Sequence, residues 1–220
     1  MTLVAVTGLR AEARLARDAG FAVVCAGGAP ARTATALDAA IAAGVRGLVS
    51  FGIAGSLAPG LRSGSLVVAR AVIAGDGTRF ATDPAWTAAL AKTMDTVAGD
   101  TFGGTAIVAR AAEKAVLHAR TGALAVDLES LVVARAAQRA GLPFIVLRAI
   151  ADGATRDLPP AALLPLTPDG TPHLPAVLLS VLRRPRQIAG LIGTARETRS
   201  ALRALQRSAA AARGTFPAAK

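Results

Sequence analysis

Residues Leu124 to Ala154 read LAVDLESLVVARAAQRAGLPFIVLRAIADGA, and the reading of the fold turns on them. A short apolar run, Ala123 to Val126, stops at Asp127-Leu128-Glu129-Ser130. A helical pattern follows from Leu131 to Ala140, closed by Gly141 and then Pro143. A second run, Phe144 to Ile150, is nearly all apolar and stops at Asp152-Gly153. Strand, helix, strand is the expected order, and a strand apolar on both faces suits a sheet covered on both sides. The two strands are expected to be parallel, which puts Glu129 and Asp152, each following a strand end, at one sheet edge, where open α/β sheets bind ligands. Two carboxylates are thus expected to face one crevice.

The chain before this unit alternates in the same way. Leu3 to Thr7 predicts a strand, Gly8 a tight turn, and Ala11 to Ala19 a helix with Glu12 in its first turn. An acid there also suits the helix dipole without any further role. Strands are expected at Phe21–Cys25, Gly47–Phe51, Ser65–Ile73 and Thr105–Val108, with helices at Thr33–Ala43, Pro84–Thr96 and Ala111–Thr121. Gly52-Ile53-Ala54-Gly55 follows the third strand; small residues there let a ligand approach backbone amides. The spacing is neither a dinucleotide fingerprint nor a P-loop. One α/β domain is expected to run to about Asp157, without repeat or linker.

Composition changes after Asp157. Leu158 to Pro175 holds six of the twelve prolines, which forbids a regular helix or central strand and predicts a wrap or an apolar lid over the crevice. A short helix is expected at Ala176–Leu182 and a long one at Gln187–Ala212, with Ile188, Leu191, Ile192, Ala195, Leu202 and Leu205 on one stripe. The net charge is +11, and much of it lies late: Arg183 to Lys220 carries eight arginines and Lys220 against Glu197 alone. A basic amphipathic helix can lie on an anionic membrane surface, although packing on its own domain or on a second subunit is the commoner outcome. Nucleic acid is disfavoured, because no aromatic or motif residues interleave with the arginines.

The bulk numbers exclude several classes. A chain of 220 residues can bury a full core. A single cysteine, Cys25, excludes an intrachain disulfide and suits a reducing, cytoplasmic compartment, and no basic leader is visible before the first strand. No apolar run approaches the span of a bilayer. With two histidines and one cysteine, metal-ligand spacing is missing and no metal is expected. No G-x-S-x-G elbow supports a serine hydrolase.

Four segments together are recognisable: Gly8 to Glu12, Ser50 to Leu57, Ala125 to Ser130, and Arg148 to Asp152. In this order they resemble the purine nucleoside and uridine phosphorylase family, which includes methylthioadenosine/S-adenosylhomocysteine nucleosidases. The resemblance covers roughly residues 1 to 155. The Leu158 to Arg213 segment resembles the hopanoid-associated phosphorylase branch, whose members act on adenosylhopane. The resemblance implies a three-layer sandwich with a central mixed, mostly parallel sheet flanked by helices. It assigns residues 1–157 to the catalytic domain and 158–220 to a proline-rich wrap and basic helical extension of it.

The resemblance also implies roles. Asp152 matches the general acid that protonates purine N7, since a neutral purine leaves more readily than its anion. Glu129, with its neighbour Leu128, matches the grip on the ribose hydroxyls. Glu12 matches the residue that activates the attacking water, and the bond breaks through an oxocarbenium-like sugar. Gly8, Arg10, Gly52, Ile53, Ala54 and Gly55 are the loop residues expected against substrate, and Arg10 is the candidate holder of an anion. No cofactor is implied, with phosphate open as a co-substrate. Phosphorylases of the bacterial purine type carry an arginine where this chain has Ser50 and a serine where it has Ile53, which favours water over phosphate. Related nucleosidases stack an aromatic on the base, whereas Ala109 to Glu113 offers no ring. Three readings follow: adenine release from adenosylhopane at the inner face of the cytoplasmic membrane, a soluble methylthioadenosine/S-adenosylhomocysteine nucleosidase, or an inactive binding protein of the same fold. A homodimer is implied by the resemblance.

Overall fold

The computed structural model describes residues 2–215. The elements run β1 (Thr2–Thr7), α1 (Arg10–Asp18), β2 (Ala22–Cys25), α2 (Pro30–Ala42), β3 (Val45–Ser56), β4 (Leu66–Ile73), β5 (Arg79–Ala81), α3 (Pro84–Thr93) and β6 (Thr96–Gly103). They continue with α4 (Ala111–Thr121), β7 (Ala125–Asp127), α5 (Ser130–Ala140), β8 (Phe144–Asp152), a 3-10 turn at Pro160–Leu163, α6 (Leu174–Arg183) and α7 (Ile188–Thr215). The α/β class with a mixed, mostly parallel sheet is as expected: five strand pairings are parallel and three antiparallel.

The connectivity departs from an open sheet. β3 pairs with β8 and β7, β7 with β6, β6 with β4, and β4 with β8, so these five strands close a ring. β1 and β2 extend it from β3, and β5 from β4. β7 and β8 are therefore not parallel neighbours. β8 runs parallel to β3, whereas β7 runs antiparallel to it. Glu129 and Asp152 thus do not follow adjacent parallel strands; β3, paired with both β7 and β8, links them.

Burial of β8 on both faces explains its composition. Ile145, Leu147, Ala149 and Ala151 join a core with α1, α3 and α7, while Phe144 and Val146 join one with α2 and α5. This alternation is the two-residue period of a strand. Position 148 falls on the second face, where Arg148 meets Ser50, Asp127 and Ser130 at the end of the apolar core. The expected stripe on the last helix is only partly the buried one. Ala201, Ala204, Leu205, Ala209 and Ala212 pack into the core, whereas Ile188 and Ile192 are exposed. The C-terminal half of α7 thus packs on its own domain.

Three boundaries differ from the sequence expectation. The strand expected at Thr105–Val108 lies earlier, at Thr96–Gly103, with 105–108 outside any strand. Arg79–Ala81 forms an edge strand in a stretch that reads as loop. β3 does not stop at Phe51 but continues through Gly52-Ile53-Ala54-Gly55 to Ser56. There it is paired on both sides, with β8 and β7, and the ladder bonds hold the glycines extended. The end of the basic tail, Phe216 to Lys220, lies outside the described residues.

Candidate active site

The glycine stretch of β3 is the floor of the site. A Cβ added at Gly52 would lie 2.7 Å from Glu12 Oε1 and 2.7 Å from Arg148 Nη1. One added at Gly55 would lie 3.2 Å from Asp152 Oδ2, and one at Gly8 would collide with Glu129 Oε1. Glycine is therefore required at Gly8 and Gly52 by close approach of functional side chains. Three residues of strand separate Gly52 from Gly55, about 10 Å at 3.3 Å per residue. Glu12 and Glu129 stand near one end of this floor and Asp152 at the other.

At the Gly52 end, three carboxylates surround one guanidinium. Arg148 is fully buried, and its Nη2 donates to Ser50 Oγ (2.6 Å) and Asp127 Oδ1 (2.8 Å) and lies 3.3 Å from Glu129 Oε2. Asp127 also receives the amides of Glu129 (2.9 Å) and Ser130 (2.7 Å), which ties the first turn of α5 to the arginine. Glu12, almost fully buried, accepts from the amides of Gly8 (3.0 Å), Leu9 (2.8 Å) and Ile53 (2.7 Å). Its first-turn position does satisfy helix-end donors, and it also spans from α1 to β3.

Burial pushes the carboxyl of Glu12 above the usual range, against the pull of Arg148 and the three amides. Burial likewise raises Glu129, to about 7; Arg148 opposes the rise, and the neighbouring Asp127 and Glu12 add to it. One buried cation cannot neutralise three anions, so part of the charge is relieved by proton uptake.

At the Gly55 end, Asp152 Oδ2 accepts from Lys114 Nζ at 2.5 Å. Lys114 comes from α4, is fully buried, and also donates to the carbonyls of Gly153 (3.0 Å) and Arg156 (2.9 Å). All three ammonium hydrogens thus have acceptors. Burial raises the Asp152 carboxyl, with Lys114 and the charge of Arg156 holding it back. Lys114, Arg148 and Asp127 are site residues to which the sequence pattern assigns no role. Arg148 was visible as a lone cation inside an apolar strand, and Lys114 as a lysine one helical turn from Leu117 on the buried side of α4.

Between the two ends lies a cavity of about 240 Å³. Glu12, Glu129, Leu128, Asp152, Gly8, Ile53, Ala54 and Gly55 line it, so most of the expected site residues are brought together. Its remaining wall is aliphatic, with Ile107 and Val108 after β6 and Leu158, Ala162, Leu164 and Leu166 from the proline-rich segment. That segment crosses the site as the expected lid and is anchored where the Arg10 amide donates to the Gly170 carbonyl at 3.0 Å. Arg10 itself is not brought to the cavity. Its side chain is 70% exposed and pairs with Asp169 at 3.2 Å.

The arrangement can hold a polar ring against Glu129, a proton donor at Asp152, and a proton acceptor at Glu12. Residues 20–166 match the family described as the phosphorylase superfamily. No curated protein matches the sequence. Among solved structures, the S-adenosylhomocysteine nucleosidase of Streptococcus pyogenes in complex with 5-methylthiotubericidin superposes with a TM-score of 0.64 at 18% identity, covering 90% of this chain and 96% of that one. Futalosine hydrolase of Helicobacter pylori gives 0.68 at 17% identity, covering 94% and 96%. The 5'-methylthioadenosine/S-adenosylhomocysteine nucleosidase of Neisseria meningitidis, in complex with methylthio-immucillin-A, gives 0.68 at 18% identity, covering 96% and 99%.

Proposed function

From the premise that the chain belongs to the phosphorylase superfamily, we propose that it is an enzyme cleaving the N-glycosidic bond of a purine nucleoside, with water as the nucleophile. One observation carries the choice of water. The amides of Gly8, Leu9 and Ile53 converge, and what they bind is the carboxylate of Glu12. A phosphate would need those donors and would meet a buried anion in their place. Arg10, the one candidate for holding phosphate, is turned to Asp169.

In this reading Glu129 accepts hydrogen bonds from the ribose hydroxyls at the Gly52 end, beside Leu128. The purine lies along Ile53–Gly55 and reaches Asp152. Asp152 gives its proton to N7, the bond from C1′ to N9 breaks, and the base leaves neutral. Glu12 takes a proton from the water whose oxygen bonds to C1′. The product is free adenine and a sugar bearing a new hydroxyl. No cofactor has a part in these steps.

For the substrate we favour adenosylhopane, giving ribosylhopane. Two features support this: the resemblance of the Leu158–Arg213 segment, and the aliphatic wall that the segment contributes. The cavity is smaller than the 300–1,000 Å³ common for ligand sites. A pentacyclic substituent on the sugar must therefore run out past Leu164 and Leu166. Such a substrate would be met at a membrane, on its inner face in a cytoplasmic enzyme. A second reading, a methylthioadenosine or S-adenosylhomocysteine nucleosidase, is favoured by the modest cavity. A homodimer goes with either, and exposed Ile107 and Val116 beside the cavity wall suit a subunit contact. The deciding experiment is adenine release from all three nucleosides, with and without phosphate. Phosphate-independent release abolished by Asp152→Asn is expected. Strict dependence on phosphate refutes the choice of water, and no release from any of them leaves an inactive binding protein.

A further inference from the structure

We infer that the outer face of α6 docks on an anionic lipid bilayer. This deepens the lipid-linked reading above, since it names the surface at which such a substrate would be met. None of the ten residues of α6 is buried. Leu174, Leu178 and Leu182 are 71%, 61% and 70% exposed, and Leu179 is 47% exposed. At 100° per residue these four fall within an arc of about 140°, while Ala176, Val177, Ser180 and Val181 lie on the opposite side and are partly covered. The leucine face is therefore the side that points away from the protein.

Neighbouring elements extend it. Among the described residues, seven of the ten exposed large apolar side chains lie between Leu163 and Ile192. They sit on the 3-10 turn, α6 and the start of α7. Soluble surfaces scatter such residues singly, and their concentration marks an interaction site.

Charge selects the occupant. From Thr171 to Arg196 there is no carboxylate, and Arg183, Arg184, Arg186 and Arg196 are all exposed. The nearest acids are already paired, Asp169 with Arg10 and Glu197 with Arg156. Leucines bordered by arginines with no acid among them match the boundary between acyl chains and anionic headgroups. A second copy of this chain fits less well, because an isologous contact would bring the arginine rims of both copies together. The same segment supplies Leu158, Ala162, Leu164 and Leu166 to the cavity wall, so a docked α6 sets the aliphatic side of the site beside the bilayer. The docking surface is thus α6 with the start of the long basic helix, whose C-terminal half packs on its own core.

The test is flotation of the full chain with vesicles of phosphatidylcholine alone or mixed with phosphatidylglycerol. Binding to the mixed vesicles, weakened by salt, is expected. Leu178→Ser/Leu182→Ser should lower it about tenfold or more, and so should Arg183→Glu/Arg184→Glu/Arg186→Glu. Both variants should keep the thermal melt and the adenine release from a water-soluble nucleoside. Release from that nucleoside separates the two proposals, because the chemistry can fail while docking stands, and the reverse. Flotation with neither vesicle overturns the inference, as does undiminished flotation of the leucine variant. So does light scattering that shows a dimer of the parent chain lost in that variant.

Discussion

Replacing Lys114 by methionine tests whether Asp152 is the proton donor. The ammonium is fully buried and bonds Asp152 Oδ2 at 2.5 Å, and its pull opposes the rise that burial imposes on that carboxyl. An opposite charge this close lowers a carboxyl by about 1–3 pH units, so its loss should raise Asp152 by a like amount, or about 1.4–4 kcal/mol. Asp152 acts in its protonated form. Its titration in the free enzyme sets the alkaline limb of kcat/KM, which should therefore move up by the same about 1–3 units. Lys114→Arg, which keeps the charge, should hold the limb nearer its original place. Stability must move with opposite sense. At acid pH the variant holds a neutral Asp152 and no unpaired charge, and it costs little. As pH rises and the carboxyl ionises without a partner, the cost grows toward about 3–5 kcal/mol. Initial rates of adenine release against pH, with urea unfolding at each pH, measure both. An alkaline limb that stays in place in a folded Lys114→Met protein would refute Asp152 as the titrating donor.

Glu129 carries a pH signature of its own. Its folded carboxyl stands at about 7 against 4.5 for the free side chain, so the folded state holds the extra proton between those values. Its contribution is full below about pH 4.5 and is lost as pH rises through 7, on the order of 3 kcal/mol at most; Glu129→Gln should flatten the urea midpoint across that window. Gly52→Ala should drive its methyl onto Glu12 Oε1 and Arg148 Nη1, costing about 1–3 kcal/mol in thermal unfolding and much of the activity, whereas Gly141→Ala, remote from the site, should leave turnover intact. Glu12→Gln should keep the fold, because its amide oxygen still accepts from the Gly8 and Leu9 amides and only the bond from the Ile53 amide is lost, at about 1–3 kcal/mol. It should lower kcat by about 10²–10⁴ with little change in binding of a nucleoside analogue measured by calorimetry.

What could be read in the sequence was whatever local pattern enforces. β8 is legible because a strand buried on both faces must be largely apolar, as seven of its nine residues are, and α5 because Gly141 stops it in a left-handed conformation. β6 was not, since Thr96-Val-Ala-Gly-Asp-Thr-Phe-Gly has no apolar alternation. It is a strand because β4 and β7 flank it in the ring. Closure of the ring is a property of five pairings and is invisible in any one segment. The three acids were found through their motifs, yet the reason they meet was misjudged. They meet because β3 runs on through its glycines, with Arg148 over Gly52 and Asp152 over Gly55. Arg148 stands out as a charge inside an apolar strand but shows no role by pattern alone, and Lys114 looks like a surface lysine until its partners are known.

The proposed mechanism asks Asp152 to donate a proton and Glu12 to accept one. Burial raises Glu12 and Asp152 alike, so depth alone does not divide the roles. The hydrogen bonds do. Glu12 receives three amide donors, all of which favour its ionised form, and it lies in the field of Arg148. Asp152 receives one donor, on Oδ2, and among the described residues Oδ1 has no partner and is free to present a proton to the cavity. Three amide donors thus hold Glu12 where the proposed mechanism needs a proton acceptor, and the unpartnered oxygen of Asp152 faces the cavity where the base must leave. A bell-shaped kcat/KM profile follows, with macroscopic limbs that belong to the site as a whole. Its acid limb should vanish in Glu12→Gln and its alkaline limb in Asp152→Asn. Loss of the opposite limb in either variant would reverse the two roles along β3.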